Sequence, residues 1–463
     1  MQGNDQGKYR MYKKNQLIHI RIEDIGTDGE GIGHCDGFTV FVKDALVGDE
    51  VSAKLTKVKK NYAYARCEKI LTPSPDRVAP GCAIAKSCGG CQLQSLSYEK
   101  QLEFKARKVR ENLERIGGFE DIARSEEKII GMEDPFRYRN KAQYPVGRSK
   151  DGRLIAGFYA GRTHVIMETE DCLISVSENR QILRIILSHM EKYRIEPYNE
   201  ATGTGLVRHI LIRKGFSSKE LMVCLVLNGE HLPHQEELVQ SLAGIKGMTS
   251  VSLNINKEQT NVILGSKLFN LFGNGYITDQ ISSLQFRISP LSFFQVNPVQ
   301  TRRLYQKVLE YADLQGEETV WDLYCGAGTI SLFLAQKAKQ VIGVEVVPEA
   351  IENARENALI NNIENVLFHV GKAEEIVPEE VEKKNARADV VVVDPPRKGC
   401  EESLLATILT MKPERIVYVS CDSATLARDL KYLCSNEYRL NRFCPVDMCP
   451  QTVHIETVAL LSL

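Results

Sequence analysis

Between residues 12 and 71 apolar and polar positions alternate in short runs. LIHIRI, FTVFV and VSAKLTKV have a period of two, and Gly26, Gly29, Gly31, Gly33, Gly37 and Gly48 separate them. That period turns successive side chains to opposite faces, as in half-buried strands, and the glycines mark turns. Some five strands in about sixty residues predict a small β-barrel of OB-like size. Pro73, Pro75 and Pro80 close the segment. Residues 97–117, SYEKQLEFKARKVRENLERIG, predict a charged helix ending at Gly117. From 135 to 285 strand and helix patterns mix, and no topology follows. From Gln315 the rhythm is strand–turn–helix: TVWDLYCG, a helix to Lys337, VIGVEVV, a helix over 349–361, ADVVVVDPP and ERIVYVSC. Apolar strands alternating with helices predict a parallel sheet covered on both faces.

With 463 residues the chain is long enough for about three domains. The pattern changes place them at 11–72, 76–285 and 286–463, with helix 97–117 packing on the last. Apolar residues make up 43 % and charged residues 26 %, as in an ordinary globular protein. No apolar run approaches the ~18 residues of a membrane span, and the opening MQGNDQGKYRMYKKNQ has no apolar stretch. The expectation is a cytoplasmic protein with no membrane contact and no obligate protein partner. The net charge of −1 excludes a protein that grips nucleic acid with its whole surface. It leaves local patches: Arg137 to Arg162 holds seven Lys/Arg and only Asp151 as an acid.

TVWDLYCGAGTISLFLA is a buried strand entering a glycine turn that opens a helix. Gly326 and Gly328 let the backbone approach a ligand there. The spacing is Gly-x-Gly, without the third glycine of the dinucleotide fingerprint. Nineteen residues after Gly326, Glu345 ends the next strand, where a carboxylate can hold both hydroxyls of a ribose. The set Asp322, Gly326, Gly328 and Glu345 resembles the S-adenosylmethionine site of class I methyltransferases. ADVVVVDPPRKG adds Asp394-Pro-Pro at a third strand end, the edge where open α/β sheets bind ligands. Methyltransferases acting on nucleobases often carry such a motif. Its tail here, Arg397-Lys398-Gly399, offers no aromatic ring for an exocyclic amine, so the nucleophile lies elsewhere.

RIVYVSCDSATLARDL delivers Cys421 at a fourth strand end, just where a helix begins. Asp422 or Ser423 can cap that helix, and its N-terminus is expected to favour a thiolate. A thiol suits one reaction in particular. C5 of uracil is a weak nucleophile, and thiolate addition at C6 makes C5 an enolate carbon that can take a methyl group. The C5 proton must then leave, which requires a base. QTVHIETVALL offers His454 and Glu456, two residues apart on one face of an expected strand.

Four motifs together, SCDSATLARD, DPPRKG, FFQVN and HIETVALL, resemble the RNA 5-methyluridine methyltransferase family over almost the whole chain. The resemblance implies Cys421 as nucleophile and Glu456 as base. It implies S-adenosylmethionine as cofactor, held by Gln295, Tyr324, Glu345 and Asp394. Position 423 is Ser where many members have Pro. The fold implied is a class I (Rossmann-like) α/β domain after an N-terminal OB-like TRAM barrel and a mixed α/β central domain.

GCAIAKSCGGCQLQ holds Cys82, Cys88 and Cys91, three thiols close enough to bind zinc or an iron–sulfur cluster. By spacing, Cys35, Cys67 or Cys172 could be a fourth ligand; the resemblance implies Cys172 and a [4Fe–4S] cluster. In the TRAM segment Lys54, Lys57, Lys59 and Lys60 flank Tyr62 and Tyr64, a pattern suited to RNA backbone contact and base stacking. Arg137, Arg139 and Lys141 with Tyr138 and Tyr144 form a second such strip. Addition across C5=C6 requires the uridine to be unstacked into the site. TRAM and the cysteines together point to the 23S ribosomal RNA branch. The alternatives are a transfer-RNA 5-methyluridine enzyme, a 5-methylcytosine RNA methyltransferase, which would carry Cys where Arg397 stands, and a non-catalytic RNA-binding factor.

Overall fold

The computed structural model describes residues 12–384 and 387–463. The chain divides into two compact units, residues 1–104 with 451–453, and 105–450 with 454–463.

In the first unit six strands form one sheet, in the order β1-β5-β6-β4-β3-β2. They are β1 Leu17–Arg21, β2 Asp24–Ile25, β3 Gly31–Cys35, β4 Phe38–Lys43, β5 Glu50–Val58 and β6 Tyr62–Thr72. The alternation read in the sequence puts Ile18, Ile20, Val40, Val42, Val51, Ala53 and Leu55 into one core. The strand missed by periodicity is β2, two residues long and too short to show any. Gly33 is required by a close approach: a Cβ there would lie 2.3 Å from the Arg21 carbonyl oxygen. On the outer face Phe41, Tyr62 and Tyr64 cluster with ring centroids 5.5–5.8 Å apart.

The charged helix α1 (Tyr98–Asn112) continues as a π-helical turn, Leu113–Gly117. Gly118 rather than Gly117 supplies the left-handed stop, with φ 74°. In the second unit, Val109 and Leu113 join the core of Leu426, Ala427 and Leu430.

The central region, whose topology the sequence hid, is a seven-stranded mixed sheet in the order β13-β12-β11-β10-β7-β8-β9. Its elements are β7 Lys141–Arg148, β8 Leu154–Tyr159, β9 Ile166–Glu168, α2 Glu178–Lys192 and β10 Val207–Lys214. There follow β11 Leu221–Leu227, α3 Gln235–Ala243, β12 Met248–Ile255 and β13 Lys267–Gly273. Helices α2 and α3 cover one face, where Ile182, Ile186, Leu238 and Leu242 pack on Ile210, Ile212, Val223 and Leu225.

A hairpin, β14 Ile277–Ile281 and β15 Leu284–Ile288, leads to α4 (Pro298–Ala312) and the strand–turn–helix region. Its strands are β16 Thr319–Leu323, β17 Gln340–Glu345, β18 Val366–Val370, β19 Val390–Val393, β20 Arg415–Ser420, β21 Arg439–Val446 and β22 Glu456–Ser462. The helices between are α5 Thr329–Ala335, α6 Pro348–Ile360, α7 Ala373–Lys384, α8 Glu402–Met411 and α9 Ser423–Cys434. The sheet order is β18-β17-β16-β19-β20-β22-β21. Strands β16 to β20 pair in parallel, and β22 enters antiparallel between β20 and β21. The sheet reverses its order at β16, so the loops after β16 and β19 open a crevice at their carboxyl ends.

Candidate active site

Strand β16 carries Asp322, fully buried, with Ser331 of α5 donating to its Oδ2 and with Oδ1 left without a partner. Burial, with Asp394 and Glu345 nearby, pushes this carboxyl up to about 7. The chain then turns through three left-handed residues, Tyr324 (φ 63°), Gly326 (φ 54°) and Gly328 (φ 74°). A Cβ on Gly326 would meet nothing within 4 Å, so open space faces this backbone. Gly328 is held instead by packing: a Cβ there would come within 3.0 Å of Ala354 and Phe368.

Glu345, at the end of β17, accepts from Gly326 N at 3.1 Å and from Val347 N at 3.0 Å. Each carboxylate oxygen keeps a further lone pair, which two vicinal hydroxyls can fill. Asp394 follows β19, and burial pushes it up to about 7. Tyr305, buried on α4, sits within the fields of Asp394, Asp322 and Glu456, its hydroxyl 2.8 Å from Thr329 Oγ1. Tyr324 turns its hydroxyl onto Glu374 at 2.6 Å, so its place at the glycine turn is a backbone one. Gln295 is half-buried in the segment before α4, and its carbonyl accepts from Asn140 Nδ2 at 2.9 Å.

Cys421 lies one residue past β20. Ser420 pairs with Thr457 at the end of the antiparallel ladder, so Cys421 and Glu456 both adjoin that last pair, and the charge of Glu456 acts on the thiol. The expected helix cap is made: Asp422 accepts from Ala424 N and Thr425 N at 2.9 and 3.0 Å. The expected thiolate is not favoured. Burial, then the charges of Glu456 and Asp394, push the thiol up to about 11, and Arg397 only partly offsets them. Glu456 itself is pushed up to about 8 by burial, with Asp394 adding to the shift. His454 does not share its strand face, because β22 begins only at Glu456 where pairing with Val446 starts. The imidazole is exposed.

Sequence reasoning passed over Asp429 and Arg428, which fasten two strand-end loops together. Asp429 accepts from Cys400 N at 2.8 Å and Tyr418 hydroxyl at 2.6 Å. Arg428 pairs with Asp429 and donates to the Lys398 carbonyl at 2.9 Å. The TLARD and DPPRKG motifs therefore hold each other in place. The spacing gave no signal of this, since it joins residues about thirty positions apart.

Four carboxyl groups, a glycine turn and a thiol thus gather at the strand ends. An orphaned carboxylate oxygen beside open backbone fits a cationic, hydroxyl-bearing ligand such as S-adenosylmethionine. Comparison with known proteins agrees. The family described as tRNA (Uracil-5-)-methyltransferase matches residues 266–463, and the TRAM domain matches 13–67. A Clostridium tetani protein named "uncharacterized RNA methyltransferase" is 49 % identical over 451 residues, 97 % of each chain. One of that name from Clostridium acetobutylicum is 51 % identical over 451 residues, 97 % of this chain and 98 % of its own. Among solved structures, the Pyrococcus abyssi tRNA (uracil-54, C5)-methyltransferase in complex with S-adenosyl-L-homocysteine superposes with a TM-score of 0.76. It is 30 % identical and covers 96 % of this chain and 99 % of its own. The chain belongs to the RNA (uracil-5)-methyltransferase family.

This RNA methyltransferase uses S-adenosylmethionine and carries a class I catalytic domain behind a TRAM domain. Among its described residues no helix is long and apolar enough to cross a membrane.

The metal expectation fares differently. Cys82, Cys88, Cys91 and Cys172 are all half-exposed, a soft donor set suited to iron–sulfur chemistry. Yet among the described residues no three His, Cys, Asp or Glu side chains are gathered as a metal centre.

The basic strip also needs correction. Tyr138 and Tyr144 are each 1 % exposed and offer no face for a base. Tyr144 points inward because Ala142, Tyr144 and Val146 form the core-facing side of β7, and Tyr138 donates its hydroxyl to the Pro450 carbonyl at 2.9 Å. Arg137 is taken by Asp171 and by the Cys172 and Ser175 carbonyls. Arg148 and Arg153 also find acids, Glu196 and Asp151 with Glu168. Much of the segment's charge is neutralised by residues from outside it. The TRAM surface keeps its expected form, with Lys57, Lys59 and Lys60 exposed and Tyr62 and Tyr64 half-exposed.

Proposed function

We propose that this enzyme makes 5-methyluridine in 23S ribosomal RNA through a covalent Cys421 adduct, with Glu456 as the base. The reading rests on one observation above all: Cys421 and Glu456 both adjoin the Ser420–Thr457 pair that ends the ladder, and the charges of Glu456 and Asp394 act on the thiol. In this reading Cys421, once ionised, adds through Sγ to C6 of a flipped uracil. The C5=C6 electron pair moves to C5 and onto the O4 carbonyl. S-adenosylmethionine supplies an electrophilic methyl group. With C5 methylated, Glu456 accepts the C5 proton, and the electrons of that C–H bond restore C5=C6 as Cys421 leaves. A base near 8 is well matched to this proton transfer at neutral pH. Gln295, the Tyr324 turn, Glu345 and Asp394 hold the cofactor. His454, exposed and off the strand, is the weaker candidate for the base.

The ribosomal assignment and a [4Fe–4S] cluster on Cys82, Cys88, Cys91 and Cys172 rest on the presence of TRAM together with these four half-exposed cysteines. The cluster has no step in methyl transfer. Iron and sulfide near four per chain, lost on Cys172→Ser and kept on Cys67→Ser, support the cluster; one zinc without sulfide removes it. A second reading, a transfer-RNA substrate, is favoured by the solved relative that acts at tRNA uracil-54.

The test of mechanism is a denaturing gel with labelled RNA. Glu456→Gln should accumulate a methylated, cross-linked RNA–protein species, and Cys421→Ala should give none. Trapping by His454→Ala but not Glu456→Gln exchanges the two roles. Adduct with Cys421→Ala defeats the mechanism. Mapping the methylated uridine in ribosomal and transfer RNA decides the substrate.

A further inference from the structure

In the central sheet Arg213 of β10 pairs directly with Lys141 of β7 across the antiparallel ladder. Opposed like charges are destabilising in such a pair unless something neutralises them. Nothing among the described residues does. Arg213 is 2 % exposed and its guanidinium donates only to the Ser292 carbonyl, while its Nε has no acceptor. Lys141 makes no ion pair or hydrogen bond among the described residues, and the charges that act on its ammonium are Arg213 and Arg139. These side chains lie on the face of β7 and β10 opposite the one covered by α2 and α3, since Ala142, Tyr144 and Ile212 point to that core. Arg139 in turn acts on Cys449 and His454, at the approach to Glu456.

A buried guanidinium with an unfilled donor, a half-buried ammonium opposite it and a third cation toward the active site form a site for an anion. We propose that Arg213 and Lys141, with Arg139, hold a backbone phosphate of the RNA next to the uridine being methylated. Phosphate contacts of this kind set the register of a nucleic acid without reading its sequence. Burial makes the site stronger than one on open lysines, because its donors are already desolvated and fixed. Sequence reading marked Arg139 and Lys141 but not Arg213, which lies 72 positions from Lys141 and is brought beside it only by sheet pairing.

The inference rests on the proposed RNA chemistry, and its test separates the two. Binding of the full-length protein to an unmodified in-vitro RNA stem-loop is measured over a range of salt, apart from any methylation. Lys141→Met is the main variant, since Lys141 supports no other residue. It should weaken binding on the order of tenfold at low salt and reduce the slope of log K against log salt by about 0.7 to 0.9. The loss should be the same for stem-loops of different sequence, and Lys141→Arg should restore most of it. Arg213→Gln should act in the same direction. An unchanged salt slope in Lys141→Met, in a protein that still binds S-adenosylmethionine, overturns the site. A changed slope in Arg213→Gln alone also overturns it, because Arg213 then acts only by holding the Ser292 segment. Failure of the wild type to methylate uracil C5, with these slopes as expected, counts against the chemistry and leaves the phosphate site standing.

Discussion

The state of the Cys421 thiol is the most exposed consequence of the site's electrostatics. Its ordinary value of 9.0 is raised to about 11. Two units correspond to about 2.7 kcal/mol and to a hundredfold smaller thiolate fraction at any pH below 9. Burial is the leading cause and the neighbouring carboxylates come second. Removing one carboxylate should therefore recover less than half of the shift. Alkylation by iodoacetamide reads this directly, with the peptide containing Cys421 quantified by mass spectrometry. At pH 8 and without cofactor it should react roughly a hundredfold more slowly than an unperturbed thiol. Its rate should keep rising with pH to at least pH 10. Glu456→Gln should speed it less than about tenfold, again at one unit per decade. S-adenosylmethionine, bringing a sulfonium cation, should speed it more than S-adenosylhomocysteine, whose sulfur is neutral. A plateau below pH 9 in the cofactor-free enzyme would refute the reasoning, for it would mean that the N-terminus of α9 outweighs burial and both carboxyl groups.

Three further outcomes are expected. Glu345→Ala should weaken S-adenosylmethionine binding, each lost charged hydrogen bond contributing about 1.5–3 kcal/mol; unchanged affinity by calorimetry removes Glu345 from the cofactor site. Asp394, Asp322 and Glu456 stand near 7, 7 and 8 and are partly protonated at pH 7. A cationic ligand favours their carboxylates, so cofactor affinity should rise from pH 6 to 8 and binding at pH 7 should release protons. Calorimetry in buffers of different ionisation enthalpy checks this, and no net release counts against it. The same raised values make these groups favour the folded state at acid pH, a contribution lost progressively as pH rises from their ordinary values of 3.8 and 4.5 to about 7 and 8. Asp429→Ala removes two buried hydrogen bonds and an ion pair, on the order of 3 kcal/mol; the melting temperature should fall by several degrees and activity with it, and an unchanged melting profile refutes the fastening role.

Much of this was legible in the sequence, for definable reasons. The TRAM sheet obeys a period of two, and the catalytic sheet a rhythm in which uninterrupted apolar strands alternate with helices, so strand ends could be read directly. The central sheet obeys none. Every residue of LMVCLVL in β11 is buried, and seven of the eight in β10, which erases the alternation that marks a strand. Cys421 and Glu456 stand out in the sequence because one follows a strand and the other begins one, each in a motif. The error at His454 came from extending β22 two residues too far. Tyr138 and Tyr144 were misjudged because aromatic residues interleaved with arginine look alike whether they stack on a base or fill a core. Arg213 and Asp429 act through partners set by tertiary pairing, and no local window contains that information.

Strand β22 lies between β20 and β21 but comes after both in the chain. Until residues 456–462 are synthesised, β20 ends the sheet with an unpaired edge and β21 has no strand to pair with. Such edges are templates for pairing with other chains. Folding of the catalytic domain therefore ends with a strand insertion of high sequence separation, a slow kind of step that leaves intermediates prone to association. A chain cut before residue 456 would lose Glu456, the proposed base, and also present an open seam. Its expected fate is aggregation or proteolysis rather than survival as an inactive RNA binder, so incomplete copies would not compete with the finished enzyme for RNA.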